Sequence, residues 1–204
     1  VIAMLNMTRE SFWNYVSEAQ NNTKNGSEML NYLTEKLSKE TDETIFSFGI
    51  IIDELMLESY NEKLWCASYL INGEDSEEFF DFFRLWLISQ GKDVYEEILK
   101  NPDNLIKYVK TPEEDGFASD LYENEDFFFV AIDAFRIKNS LEDFEEAFEK
   151  YLEVFDEYKE KLNYQDEDYP KLKFSWNKKV PNSMKKECPK LFGRLYIGDS
   201  ELDA

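Results

Sequence analysis

Phe79-Phe-Asp-Phe-Phe-Arg-Leu-Trp-Leu-Ile88 is the stretch that most restricts what this chain can fold into. Read at the helical period, its phenylalanines, leucines, tryptophan and isoleucine occupy almost every direction around the axis, leaving no polar face to turn outward. Such a helix has to be wrapped by others, so the spacing predicts a helical bundle with this segment in its interior. Two charges interrupt it, Asp81 and Arg84. An arginine in so apolar a setting is expected to be paired, either as the keystone of a helical core or as the floor of a site.

The flanking sequence supports an all-α reading. Thr8 is a suitable N-cap for a helix with Phe12, Trp13 and Val16 inward. Asn21–Ser27 reads as a turn, followed by a helix carrying Met29, Leu30, Leu33 and Leu37 at three- and four-residue steps. Thr41, with Asp42 and Glu43, opens a third helix whose Ile45, Phe48, Ile52, Leu55 and Met56 form one stripe. Leu64–Asn72 is the next apolar helical segment, ended by Gly73. Asp75-Ser-Glu-Glu78 has capping-box spacing, with Asp75 as the expected cap. Val94–Leu99 predicts a short helix ending near Asn101-Pro102, and Lys110–Asp120 a polar loop. Phe127–Phe135 resumes the core. Ser140 is the expected cap of a final helix through Tyr158.

Beyond Asn163 the periodicity fades, and prolines stand at 170, 181 and 189. This tail is expected to be mostly irregular, anchored by Trp176, Leu191, Phe192 and Leu195. The fold class expected is therefore all-α: a single-domain bundle of about seven helices over 7–160, with an extended basic tail over 161–204 packed back on it. Met7-Thr-Arg-Glu-Ser-Phe-Trp reads as a more native-like beginning than Val1–Asn6.

Charge narrows the function classes. With 44 acidic against 23 basic residues the formal net charge is −21. That field repels phosphate backbones and anionic lipid, so neither nucleic acid nor a membrane surface is the expected partner, and a basic protein is. The charge is uneven: Lys159–Arg194 holds ten basic and five acidic residues, so the remainder is more acidic still. Cys66 and Cys188 form no CxxC, and Cys66 reads as a small core residue, so the default is a reducing cytoplasm. No segment resembles a membrane span or a secretion signal.

Histidine is absent altogether. The commonest general base, the Ser-His and Cys-His nucleophile pairs and the usual zinc ligands are therefore missing, as are Gly-rich phosphate loops. No catalytic residue, cofactor or metal is expected. ExxE and ExxD spacings do occur at Glu142/Glu145, Glu146/Glu149 and Glu153/Asp156, but all lie on one helix, opposite its apolar stripe, so they read as a solvated face. The stronger constellation surrounds Arg84. Asp81, Asp53, Glu54 or Asp133 could pair with it, and with Trp65, Tyr69 and Trp86 the pair could line a pocket for an anionic or planar ligand. The alternative is an ion pair that sets helix register.

At the same segment the chain resembles a bacterial family known as domain of unknown function 4240. The pieces that carry the resemblance are Phe12-Trp13, Leu64-Trp-Cys-Ala-Ser-Tyr-Leu-Ile-Asn-Gly73, Phe79–Gly91, Val94-Tyr-Glu96 and Pro189-Lys-Leu-Phe192. The chain departs from the family where a second glycine and a cysteine would follow Asn72-Gly73; Glu74-Asp75 stand there. The resemblance implies a mostly helical intracellular domain and assigns no catalytic residue.

Two functional expectations follow. The first is a non-enzymatic acidic binding protein, of inhibitor, immunity or defence type, that recognises a basic protein through Glu142, Glu145, Glu146, Glu149 and Glu153. The second is a small-ligand or enzymatic site built from Arg84, Asp81, Trp65, Tyr69 and Trp86. Oligomeric state is not encoded legibly.

Overall fold

The computed structural model describes residues 4–110 and 121–196, and among them the fold is all-α. The expected Lys110–Asp120 loop lies, apart from Lys110, outside the described residues. The α-helices are α1 (Arg9–Asn22), α2 (Gly26–Leu37), α3 (Asp42–Glu58), α4 (Glu62–Asn72), α5 (Glu77–Ser89), α6 (Lys92–Lys100), α7 (Val130–Lys138), α8 (Phe144–Leu162), α9 (Pro181–Glu187) and α10 (Pro189–Leu195), with 3₁₀ turns at Pro102–Lys107 and Glu125–Phe129.

Side-chain caps set most of the helix starts. Thr8 accepts from the Ser11 N–H, Asn25 from Glu28, Asn61 from Leu64, and Asp143 from Glu146. Two expected caps move by a few residues. Ser76, not Asp75, accepts from the Phe79 N–H, which leaves the Asp75 carboxylate available elsewhere. Ser140 sits in the left-handed region at φ 52°, so the chain turns there and Asp143 opens α8 three residues later. The phenylalanine run at 127–135 starts as a 3₁₀ turn before becoming α7. Gly73 ends α4 with φ 75°, a conformation that side chains with a Cβ rarely adopt.

Two compact units emerge. The first takes Val1–Leu57 and Asn124–Asp168, the second Glu58–Glu123 and Tyr169–Ala204. Of the expected tail, residues 161–168 group with the first unit and 169–196 with the second.

In the first unit the core is aromatic. The Phe46 ring lies 5.4–5.9 Å from those of Phe135, Tyr151, Phe155 and Tyr158, and Phe48 packs on Phe12 and Phe127. Each such ring contributes about 1.5–3 kcal/mol by leaving water. Gly49 makes room for this arrangement: a Cβ there would stand 2.6 Å from the Tyr151 hydroxyl oxygen. That hydroxyl is enclosed, and burial pushes it far above its ordinary pKa, so it stays protonated.

In the second unit α4 is the hub, packed by α5, α9, α10 and the Pro102–Lys107 turn. From Asn163 to Val180 the tail is irregular, and then it forms two helices, each opened by a proline. Proline in the first turn sacrifices no hydrogen bond, so Pro181 and Pro189 start helices instead of stopping them. No side chain of its own segment caps α10; the buried Asp103 carboxylate does so from 87 positions away, accepting from the Lys190 N–H at 3.0 Å and the Leu191 N–H at 3.0 Å. Trp176 donates its indole N–H to the Glu62 carbonyl at 2.7 Å.

Two measurements check this packing. Gly49→Ala gains helix propensity of about 1 kcal/mol but is expected to lose about 1–3 kcal/mol of net stability through overpacking in urea unfolding. Removing the hydroxyl with Tyr151→Phe recovers most of that loss. Stability should fall in the order wild type, Asp103→Asn, Asp103→Ala, with a total drop of about 1–3 kcal/mol and faster hydrogen exchange at the Lys190 and Leu191 amides.

Candidate functional site

Arg84 is fully enclosed, and its side chain has no exposed surface. Its guanidinium lies 4.8 Å from the ring centre of Phe80, 4.9 Å from Tyr60 and 5.3 Å from Tyr169, so the cation meets three aromatic rings. Of the four carboxylates considered from sequence, Asp81 is its ion-pair partner, one helical turn back on α5. Asp81 is half-exposed; desolvation raises its pKa, against the pull of the guanidinium. Glu54 instead pairs with Arg9, and Asp133 with Arg136.

The other sequence-picked residues are distributed around this pair. Trp65 stacks on Phe80 at 4.7 Å, and Phe80 in turn stands over the guanidinium. Trp86 stacks on Phe83 at 5.6 Å and meets the edge of Tyr122. Tyr69 stacks on Trp176 at 5.9 Å. Trp65 and Tyr69 therefore belong to a second assembly that sequence spacing could not bring together, because its other half comes from the tail.

That assembly is a surface cleft of about 370 Å³, lined by Trp65, Asp75, Phe174, Trp176, Asn177, Lys178 and Lys179. Phe174 stands edge-on to both Trp65, at 5.3 Å, and Trp176, at 5.7 Å, and is about half exposed. Both indoles are nearly buried and already backed by Phe80 and Tyr69. Lys178 is salt-bridged to Asp75 at 2.5 Å, and that hydrogen bond raises its pKa. Lys179 makes no ion pair among the described residues, and its backbone N–H is tied to the Asn177 side chain at 2.8 Å. The loop is further held by Asn177 N–H to Ser183 Oγ at 2.9 Å, Val180 N–H to Asn177 O at 2.8 Å and the Ser175 hydroxyl to the Glu62 carboxylate at 2.9 Å. The cleft is preorganised before anything enters it.

Cys66 and Cys188, far apart in sequence, meet in the same unit. Both are buried and reduced, and the Cys188 thiol is a hydrogen-bond partner that, together with burial, pushes the Cys66 thiol far up. They act as core residues joining the tail to α4.

The first unit bears the acidic face. Glu142, Glu145, Glu146, Glu149 and Glu153 are all exposed, and among the described residues none of them forms an ion pair. On α8, Glu145, Glu146, Glu149 and Glu153 line the side away from buried Ala147, Tyr151, Phe155 and Leu162, whereas Glu142, expected on the same helix, stands before it because Asp143 rather than Ser140 is the cap. Along the border of this ridge runs an apolar strip in which Phe144 and Leu152 are about two-fifths exposed and Phe144 stacks on Phe148. Composition had suggested the acidic ridge; the apolar border was missed because Phe144, Phe148 and Leu152 read as part of the buried stripe.

No group of three or more acidic or cysteine side chains among the described residues is placed to hold a metal ion, and no described helix is long and apolar enough to cross a membrane. Replacing Asp81 by Ala removes the ion-pair partner of an enclosed Arg84 charge. The expected loss is about 1–3 kcal/mol in chemical denaturation. Arg84→Met combined with Asp81→Ala should lose less than Asp81→Ala alone, since no charge is then left uncompensated.

Comparison with known proteins adds one assignment. No curated protein and no solved structure matches the chain. A family model described as "Protein of unknown function (DUF4240)" matches residues 7–137, a span that includes Arg84, Asp81, Trp65, Tyr69 and Trp86 but neither α8 nor the tail side of the cleft. Because that match covers well over half of its length, the chain belongs to the DUF4240 family.

Proposed function

We propose that this protein is a non-enzymatic binding protein whose α8 face recognises a basic protein partner. The observation that carries the reading is the row of five exposed carboxylates at 142, 145, 146, 149 and 153, unneutralised among the described residues and bordered by Phe144, Phe148 and Leu152. Four carboxylates left unpaired on one face of α8, with Glu142 just before it, are available to meet lysine or arginine on another molecule, steering association and selecting the partner's charge. The apolar strip supplies area that loses water on contact, which charge alone does not. An inhibitor, immunity or defence role fits such a surface, because sequestering a basic protein needs affinity and no turnover. A cytoplasmic setting accompanies it, one in which Cys66 and Cys188 stay reduced.

The alternative, a ligand or catalytic site at Arg84, has less support. A guanidinium enclosed by Tyr60, Phe80 and Tyr169 and paired with Asp81 has no exposed surface to offer a ligand.

Affinity capture from host extract tests the reading. At low ionic strength the wild-type protein is expected to retain a basic protein that the Glu145→Gln/Glu149→Gln/Glu153→Gln variant does not, with release as salt approaches about 0.5 M, where the screening length falls to a few ångströms. Equal retention by wild type and variant, or no basic protein retained at low salt, overturns it.

A further inference from the structure

The aromatic cleft of the second unit plays no part in the proposed function, and its charge is opposite to that of the chain as a whole. Between Lys171 and Arg194 there are eight basic residues and one acidic one, in a protein of net charge −21. Lys178 and Lys179 bring two of those cations to the cleft mouth. Asp75 neutralises Lys178, so among the described residues the lining is left with a single uncompensated charge, Lys179. The walls are Trp65, Phe174 and Trp176, with the Phe174 ring half open to solvent while both indoles are fixed from behind. A volume of about 370 Å³ suits a small organic molecule.

We infer that this cleft binds a small planar aromatic anion, its ring packed against Phe174 between the two indoles and its negative group on Lys179. Each part of the ligand answers a feature of the cleft. A flat ring gains stacking or edge contacts with three aromatic side chains that are already positioned, so little ordering cost is incurred on binding. A carboxylate or sulfonate meets an ammonium that has no competing carboxylate. A dianion would also draw Lys178 from Asp75, at the cost of exposing that carboxylate to the ligand, so a single negative charge fits best. The cleft is anchored through its loop: Glu62 accepts from Ser175 and Trp176, and Asn177 folds back on Lys179 and Val180. The site rests on residues of α4 and of the tail, and is independent of the α8 face.

Two-dimensional amide and indole NMR on the full chain tests this, with 2-naphthoate as the probe, 2-naphthylmethanol as its neutral counterpart and cyclohexanecarboxylate as the non-planar anion. Saturable shifts are expected at the Trp65 and Trp176 indoles and at the Asn177–Lys179 amides with 2-naphthoate. Binding should be at least fivefold weaker for each of the other two. Lys179→Ala, at an exposed position, should weaken 2-naphthoate at least fivefold, as should Phe174→Ala. The Glu145→Gln/Glu149→Gln/Glu153→Gln variant should bind it as the wild type does, which separates this outcome from that of the capture experiment. Equal binding of 2-naphthoate and 2-naphthylmethanol, shifts confined to residues outside the cleft, or an unchanged affinity in Lys179→Ala overturns the inference.

Discussion

The burial of one charge organises the second unit. Arg84 leaves water with much of its hydration replaced: the Asp81 carboxylate pairs with one end of the guanidinium, and Tyr60, Phe80 and Tyr169 supply rings around it. Satisfying this one group drew residues from the turn before α4, from α5 and from the tail into a single cluster. The same cluster propagates outward through stacked rings. Trp65 lies on Phe80, Phe80 is followed by Phe83, and Phe83 by Trp86. An apolar residue at 84 would make no ion pair with Asp81 and no cation–ring contact with Tyr169. The charge therefore adds directionality to a core that hydrophobic burial alone would leave less specific.

The tail is held by polar contacts to groups that α4 and the Pro102–Lys107 turn present to it. Asp103 caps α10, the Glu62 carbonyl receives the Trp176 indole, and the Glu62 carboxylate receives Ser175. Beneath them Cys188 and Leu191 are buried, and Cys188 contacts Cys66. A segment that periodicity alone marks as irregular is thus ordered by complementarity with a remote part of the chain. Its docking creates the cleft, since Phe174, Trp176 and the two lysines have no enclosed geometry without Trp65 and Asp75 opposite them. The acidic ridge of α8, by contrast, is a local property of one amphipathic helix and needs only that its other face be buried.

That contrast explains what could be read in advance. The period of Phe79–Ile88, the stripe of α3 and the Thr8 cap each depend on residues within a few positions, and each appears where spacing placed it. Exposure of Glu145, Glu146, Glu149 and Glu153 is legible for the same reason. Asp81 was among the named partners of Arg84 because an i,i+3 pair shares a helix face. Trp65 and Tyr69 were grouped with Arg84 as pocket candidates, because nothing in their spacing points to residues 174–179. Capping was ambiguous where two candidates adjoin: Asp75 and Ser76 both suit the role, and backbone geometry chose Ser76, freeing Asp75 to pair with Lys178.

By itself, then, the sequence determined a fold that is all-helical among the described residues, with a largely buried aromatic helix, a paired internal arginine, an acidic outer face and membership of the DUF4240 family. Those properties are written in local periodicity, composition and short motifs, for which hydrogen bonds and side-chain directions repeat every few residues. Only the tertiary structure decided which rings enclose Arg84, that Asp103 rather than a neighbour caps α10, and that a basic, proline-spaced tail closes an aromatic cleft with α4. Each of those depends on contacts between residues 85 or more positions apart, where no local period exists and where the outcome is set by which surfaces can satisfy each other's buried polar groups.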